Sequence, residues 1–131
     1  MRKNPRILIA EDDEGQAFLL KKRLSRIYIN RKIIHFINGN ELLEYVKKLT
    51  VTNFKENPCL LLLDLRMPNM DGIEVLRNLA ESKKLQYIKT IIITTSDNPE
   101  DIALCYSFGC SNYITKPVDF NKLSEVILQN E

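Results

Sequence analysis

Cys59-Leu60-Leu61-Leu62-Leu63-Asp64-Leu65-Arg66-Met67-Pro68 is the stretch that decides the fold. Its apolar run, bounded by Pro58 and Pro68, is long enough for a strand covered on both faces, as central strands of parallel sheets are. An acid at the carboxyl end of such a strand stands where open α/β sheets build their sites. The first strand, Arg6-Ile7-Leu8-Ile9-Ala10, ends in the same way, in Glu11-Asp12-Asp13-Glu14. If the two strands are neighbours, Glu11, Asp12 and Asp64 converge at one edge. Like charges that close raise one another's pKa and destabilise the fold unless a cation is bound. Oxygen-only ligands favour Mg²⁺ over zinc.

On either side of this stretch, strands alternate with helices along the chain. Strands are predicted near 6–10, 32–37, 59–63, 90–95 and 111–115, and helices near 14–28, 40–49, 72–82, 99–108 and 120–129. Helix starts carry capping signals in Asp13-x-x-Gln16, Asn38-x-x-Glu41, Asp71-Gly72-Ile73-Glu74 and Asn98-Pro99-Glu100-Asp101. Asp13 reads as an N-cap rather than a further metal ligand, and Gly109 as a C-cap. Leu20, Leu24 and Ile27 give the first helix an inward stripe, as Ile73, Leu76 and Leu79 do in the third. Thr50 to Pro58 reads as a longish loop. Right-handed crossovers then imply an α/β fold, a flavodoxin-like, doubly wound parallel sheet of five strands in the order 2-1-3-4-5 with five helices. That order makes the first and third strands neighbours. The fourth strand ends in Ile93-Thr94-Thr95-Ser96 and the fifth in Ile114-Thr115-Lys116-Pro117, bringing hydroxyls and an ammonium to the same crevice. A cation site, a carboxylate, a hydroxyl and an ammonium suit a phosphoryl group, whose loose transition state spreads charge over three oxygens.

Composition narrows the classes. The chain has 131 residues, enough for one domain with one core, and its net charge of +2 is too small to imply nucleic-acid or membrane binding. Arg2, Lys3 and Arg6 read as a solvated start to the first strand. No apolar stretch approaches the roughly 18–20 residues that span a bilayer, and no signal-peptide pattern precedes the first strand, so a cytoplasmic location is expected. Cys59, Cys105 and Cys110 lack metal-ligand spacing and read as buried free thiols. His35, in a strand, reads as an ordinary strand residue.

With Glu11-Asp12, Asp64 within Leu-Leu-Asp-Leu-Arg-Met-Pro, Met70-Asp71-Gly72, Thr94, Tyr113 and Lys116-Pro117 in view, the chain resembles the receiver domain of two-component response regulators over nearly its whole length. Thr94-Thr95-Ser96, the segment from Tyr106 to Pro117 and the long loop before the third strand resemble stand-alone, chemotaxis-regulator-like members, the phytochrome-associated ones among them. The resemblance implies a role for each matching residue. Asp64 would accept a phosphoryl group from a histidine kinase. Asp12 and Asp64 would ligate Mg²⁺ with the backbone carbonyl of Arg66, while Glu11 would act through water. Lys116 would pair with phosphoryl oxygens ahead of a cis bond to Pro117. Thr94 would swing toward the phosphate and Tyr113 would turn inward behind it. Arg66 and Ser96 occupy positions where members vary and phosphoryl lifetime is tuned, and Thr95 stands where a small residue is usual.

The resemblance also implies a single receiver domain over 1–131 without an effector domain, and a phosphoacceptor rather than a turnover enzyme. Output would then come from association through the fourth helix, fifth strand and fifth helix, roughly 99–128, with a second copy as first choice and a downstream protein target as the other. The competing reading is a pseudo-receiver, an interaction module that is not phosphorylated. A haloacid-dehalogenase-type phosphatase is disfavoured because Arg66 stands where a second acid belongs, and a flavin carrier because the first strand runs into acids.

Overall fold

The computed structural model describes residues 5–28 and 31–129. Arg2 and Lys3, read above as a solvated start, lie outside the described residues. The strands are β1 (Arg6–Ala10), β2 (Ile33–Phe36), β3 (Cys59–Leu63), β4 (Ile88–Thr94) and β5 (Asn112–Thr115), all parallel in the order β2-β1-β3-β4-β5. The helices are α1 (Glu14–Ile27), α2 (Gly39–Lys47), α3 (Val51–Glu56), α4 (Gly72–Glu81), α5 (Pro99–Phe108) and α6 (Phe120–Leu128). The expected fourth and fifth helices are thus α5 and α6.

The strands form for the reason their sequence suggests. All five residues of β3 are buried, and its side chains divide between two cores, as the two-residue period of a strand requires. Leu60 and Leu62 join Ile7, Ile9, Ile91 and Ile93 beneath α1 and α6. Leu61 and Leu63 join Leu8, Ala10 and Ile92 beneath α2, α4 and α5. In the inward stripes Leu20, Leu24, Leu76 and Leu79 are buried, while Ile27 and Ile73 are half-buried.

Capping sets where the helices begin. The side chains of Asp13, Asn38, Asp71 and Asn98 accept backbone N–H groups from Gln16, Glu41, Glu74 and Glu100. Gly109 closes α5 with φ of 117°, a left-handed conformation that only glycine adopts cheaply. The three cysteines are buried and unpaired, and burial pushes the thiols of Cys59 and Cys105 up to about 12 and that of Cys110 to about 11, so none is a ready nucleophile.

One expectation fails in the connections. The stretch from Thr50 to Pro58 contains α3, a sixth helix beyond the five expected. Thr50 and Asn53 cap each other reciprocally, and Phe54 stacks on Tyr87 with ring centroids 5.3 Å apart at 14°. Six residues are too few to show helical periodicity, and so short a helix persists only because tertiary packing buries its aromatic side.

Candidate functional site

The parallel register aligns the carboxyl ends of β1 and β3, with Ala10 opposite Leu63, so the next residues, Glu11 and Asp64, leave the sheet side by side. The Asp64 N–H donates to the Ala10 carbonyl at 3.0 Å, holding the two chain segments together one residue beyond the strands. On the other side Thr94 pairs with Thr115, and the Lys116 N–H donates to the Thr94 carbonyl at 2.7 Å. The sheet order therefore delivers Glu11, Asp64, Thr94 and Lys116 to one crevice. Beneath Asp64, α4 begins unusually close. A Cβ on Gly72 would lie 2.6 Å from the Asp64 carbonyl oxygen and 2.7 Å from Leu65 Cα. Gly72 also donates its N–H to the Leu65 carbonyl at 2.9 Å, so the lack of a side chain fixes how tightly the loop after β3 closes.

Lys116 is the hub. Its Nζ donates to Glu11 Oε1 at 2.7 Å and to Asp64 Oδ2 at 2.9 Å. Asp64 Oδ1 accepts the Arg66 N–H at 3.0 Å, and Glu11 Oε2 accepts the Asp13 N–H at 3.3 Å. Glu11 and Asp64 are only 2% and 6% exposed, whereas Asp12 and Arg66 are exposed. Burial pushes the Glu11 carboxyl up to about 7; the hydrogen bond from Lys116 pulls it back and the Asp64 charge adds to the rise. Burial works against the Lys116 charge as well, but hydrogen bonds and charge from Glu11 and Asp64 outweigh it and hold the ammonium above its ordinary value. One lysine thus serves more than one buried acid. Among the described residues, Glu11, Asp12 and Asp64 bring one carboxylate oxygen each to within 4.8 Å of one another, an oxygen-only donor set that fits a hard divalent cation.

Thr94 is fully buried, with Oγ1 accepting the Ser96 N–H at 3.4 Å. Tyr113 is half-buried and donates its hydroxyl to the Ser96 carbonyl at 2.8 Å, its phenol raised above the ordinary value by burial. Thr95 is exposed and, with Lys116, lines a cleft of about 470 Å³ whose other walls include Leu19, Pro117, Val118 and Phe120. The Lys116–Pro117 bond is cis, and Asp13 is the N-cap of α1.

Sequence reasoning missed two participants. His35 places Nε2 2.6 Å from the Glu11 carbonyl oxygen, to which it donates, and so buttresses the backbone of the acidic turn. Asp101 accepts the Ser96 hydroxyl at 2.7 Å. Neither has a local signal: each contact joins residues whose meeting depends on strand pairing or on where a helix begins.

An open parallel sheet that carries acids at its switch point, an ammonium hydrogen-bonded to two of them and a hydroxyl one strand away is an arrangement with the chemistry to hold a cation and an anionic group together. Residues 7–128 match the family model of the response regulator receiver domain, and the chain belongs to that family. It is 31% identical over 121 residues, 92% of this chain and 77% of the other, to the "Probable methanogenesis regulatory protein FilR2" of Methanothrix harundinacea. The response regulator Rcp1 of Synechocystis is 27% identical over 92% of this chain and 82% of its own, and its Mn²⁺-bound crystal structure superposes with a TM-score of 0.75 over 93% of this chain and 88% of that one. The phosphorylated cyanobacterial phytochrome response regulator RcpA superposes with a TM-score of 0.77 at 27% identity, covering 95% of this chain and 89% of that one. Among the described residues no helix is long and apolar enough to cross a membrane.

Proposed function

We propose that this receiver is a cytoplasmic response regulator whose Asp64 accepts a phosphoryl group from a histidine kinase, with Mg²⁺ as cofactor, and that the acyl phosphate switches a protein-interaction surface. The observation that carries the reading is Lys116 Nζ bridging Glu11 and Asp64, 2.7 and 2.9 Å away, in a crevice that Thr94 also borders. In the transfer, an Asp64 carboxylate oxygen forms a bond to phosphorus. The phosphorus–nitrogen bond of the donor phosphohistidine breaks, and its electron pair returns to the imidazole. Lys116 would leave the carboxylates and meet phosphoryl oxygens, and the Thr94 hydroxyl would meet another after giving up the Ser96 N–H. Asp12, Asp64 and the Arg66 carbonyl would hold the cation, with Glu11 acting through water. A bound divalent cation would neutralise the carboxylates and draw charge from the phosphoryl oxygens. The protein's part is positioning, which makes it a phosphoacceptor that assists its own modification rather than an enzyme turning over a free substrate.

The kinase histidine is proposed to approach through the cleft beside Lys116, whose apolar wall continues onto Leu19, 52% exposed on α1. The output surface is proposed as α5, β5 and α6, where Leu104 and Tyr106 stand exposed on α5. Association with a second copy is the first expectation, and a separate protein target the other.

Asp64→Asn should lose all labelling by acetyl phosphate in Mg²⁺ while keeping its circular dichroism. Label retained on the intact variant in a mass spectrum would refute the assignment, and a wild-type chain that takes no label would leave the pseudo-receiver. Leu19→Asp should lose kinase-dependent labelling yet keep labelling by acetyl phosphate; equal loss of both would remove the docking cleft. Millimolar-range Mg²⁺ should raise the melting temperature by relieving carboxylate repulsion, and an indifferent melting temperature would count against the cation site. Light scattering with beryllofluoride and Mg²⁺ should report a dimer, and an unchanged monomer mass would leave the separate target.

A further inference from the structure

Two clefts meet on the outer side of α1 and α6. One is the apolar cleft that reaches Lys116; the other, of about 230 Å³, is lined by Leu19, Lys22, Arg23, Arg26 and Phe120. Leu19 and Phe120 border both, so the clefts join across a shared apolar ridge. Lys22 and Arg26 are exposed on the far side of that ridge. Arg23 is half-buried, its guanidinium carbon 5.4 Å from the centre of the Phe120 ring, and its Nη2 donates to Asn121 Oδ1 at 3.5 Å. Among the described residues no carboxylate forms an ion pair with any of the three cations. From Leu19 to Ile27 the chain carries Lys21, Lys22, Arg23 and Arg26 and no acid, a stretch more positive than the whole chain at +2. A cation in the last turn favours a helix through its dipole, which accounts for Arg26. It does not account for Lys22 and Arg23, which lie before the last turn.

We infer that Lys22, Arg23 and Arg26 form an acid-recognising arm of the docking cleft, and that the protein donating to Asp64 carries carboxylates one to two helical turns from its phosphohistidine. This rests on the reading of Asp64 as the phosphoacceptor and of the cleft beside Lys116 as the donor's approach. A helix rises about 1.5 Å per residue, so Lys22 and Arg26 lie about 5 and 10 Å beyond Leu19 along α1. A donor helix whose histidine enters beside Lys116 and crosses Leu19 and Phe120 is carried over these cations. The Phe120 ring holds Arg23 in place, which lowers the entropy lost when an acid arrives. Cations at the rim of an apolar contact act mainly on encounter rate and on the choice of partner. A membrane surface or a nucleic acid would also attract them, but neither needs a ridge that leads to Lys116.

The test uses two synthetic alanine-based helical peptides with a central phosphohistidine as donors. One carries glutamate one and two helical turns to either side of the histidine, the other glutamine at the same places. Transfer to the full chain in Mg²⁺ is followed by intact-protein mass spectrometry. At about 50 mM salt the glutamate peptide should transfer about tenfold faster. At about 1 M, where the screening length falls to about 3 Å, its advantage should drop below about twofold. Charge reversal by Lys22→Glu with Arg26→Glu should erase or invert the preference, while labelling by acetyl phosphate stays as in wild type. Arg23→Lys, which keeps the charge, should keep the preference. Equal rates from the two peptides, transfer from neither, or a preference that survives the charge reversal would overturn the arm. So would sedimentation with phosphatidylserine vesicles that the charge reversal abolishes, since the cations would then serve a membrane. A wild-type chain that acetyl phosphate does not label would overturn the reading of Asp64 first, and the inference with it.

Discussion

Helices α4 and α5 are both ten residues long, pack on the same face of the sheet, and each follows a strand whose carboxyl end carries a candidate site residue, Asp64 just beyond β3 and Thr94 closing β4. They are anchored very differently. α4 buries Gly72, Val75, Leu76 and Leu79, while α5 buries Cys105 alone and leaves Leu104 and Tyr106 36% and 47% exposed. With each fully buried Val or Leu side chain contributing about 1.5–3 kcal/mol, α4 is the better secured by several such contributions. Its start is pressed against the Asp64 backbone through Gly72, whereas the start of α5 is tied to the site by the Ser96–Asp101 hydrogen bond. The difference teaches a division of labour. The acid stands on a platform that does not yield, and the hydroxyl leads into an element whose hold is small and polar, the kind that opens locally at modest cost.

The comparison can be broken most severely at Leu76. Leu76→Ala should cost about 2–5 kcal/mol in urea unfolding, because a fully buried leucine leaves a cavity as well as a lost transfer term; a cost below about 1 kcal/mol would mean that α4 is no platform. Next in size, Gly72→Ala should cost about 1–3 kcal/mol and slow labelling by acetyl phosphate, since its methyl would collide with the backbone that carries Asp64. Unaltered labelling kinetics would separate the closeness of α4 from the chemistry. The helix ends offer a smaller test. α5 closes through Gly109, but α4 closes through Lys83 with φ of 62°, a left-handed conformation that strains a residue with a side chain. Lys83→Gly should therefore raise stability by about 0.5–1 kcal/mol with no effect on labelling, and a loss of stability would show that the lysine side chain matters there. Smallest of all, Leu104→Ser on the outer face of α5 should change stability by less than about 0.5 kcal/mol. Amide exchange should be faster along α5 than along α4 in the same sample, and equal protection would erase the distinction.

Much of the site was legible because it lies at ends of strands that announce themselves. An apolar run such as 59–63 cannot stay in water, and the residue that stops it is placed at the sheet edge by that fact alone. The caps were legible for a similar reason, since Asp13, Asn38, Asp71 and Asn98 act on N–H groups two or three residues away. Helix α3 was not, because its stability resides in Phe54 against Tyr87, residues far apart in the chain. Ser96 was read as a position where phosphoryl lifetime is tuned, and its engagement with Asp101 and Tyr113 appears only when α5 and β5 are in place.

The alternation of strands and helices, the parallel sheet that follows from it, and the set of acids, hydroxyl and ammonium carried at the strand ends are all written into the order of residues. These are local quantities: periodicity, burial preference and turn chemistry act over a few residues and can be read in order. How those groups share partners depends on the folded chain. Lys116 divides its donors between Glu11 and Asp64, 105 and 52 residues away in the chain. Burial lifts Glu11 to about 7, and Asp101 reaches Thr94 only through Ser96. Hydrogen bonds and charges act over a few ångströms of space, whatever the distance along the chain, so their balance was settled only when the sheet brought its edges together.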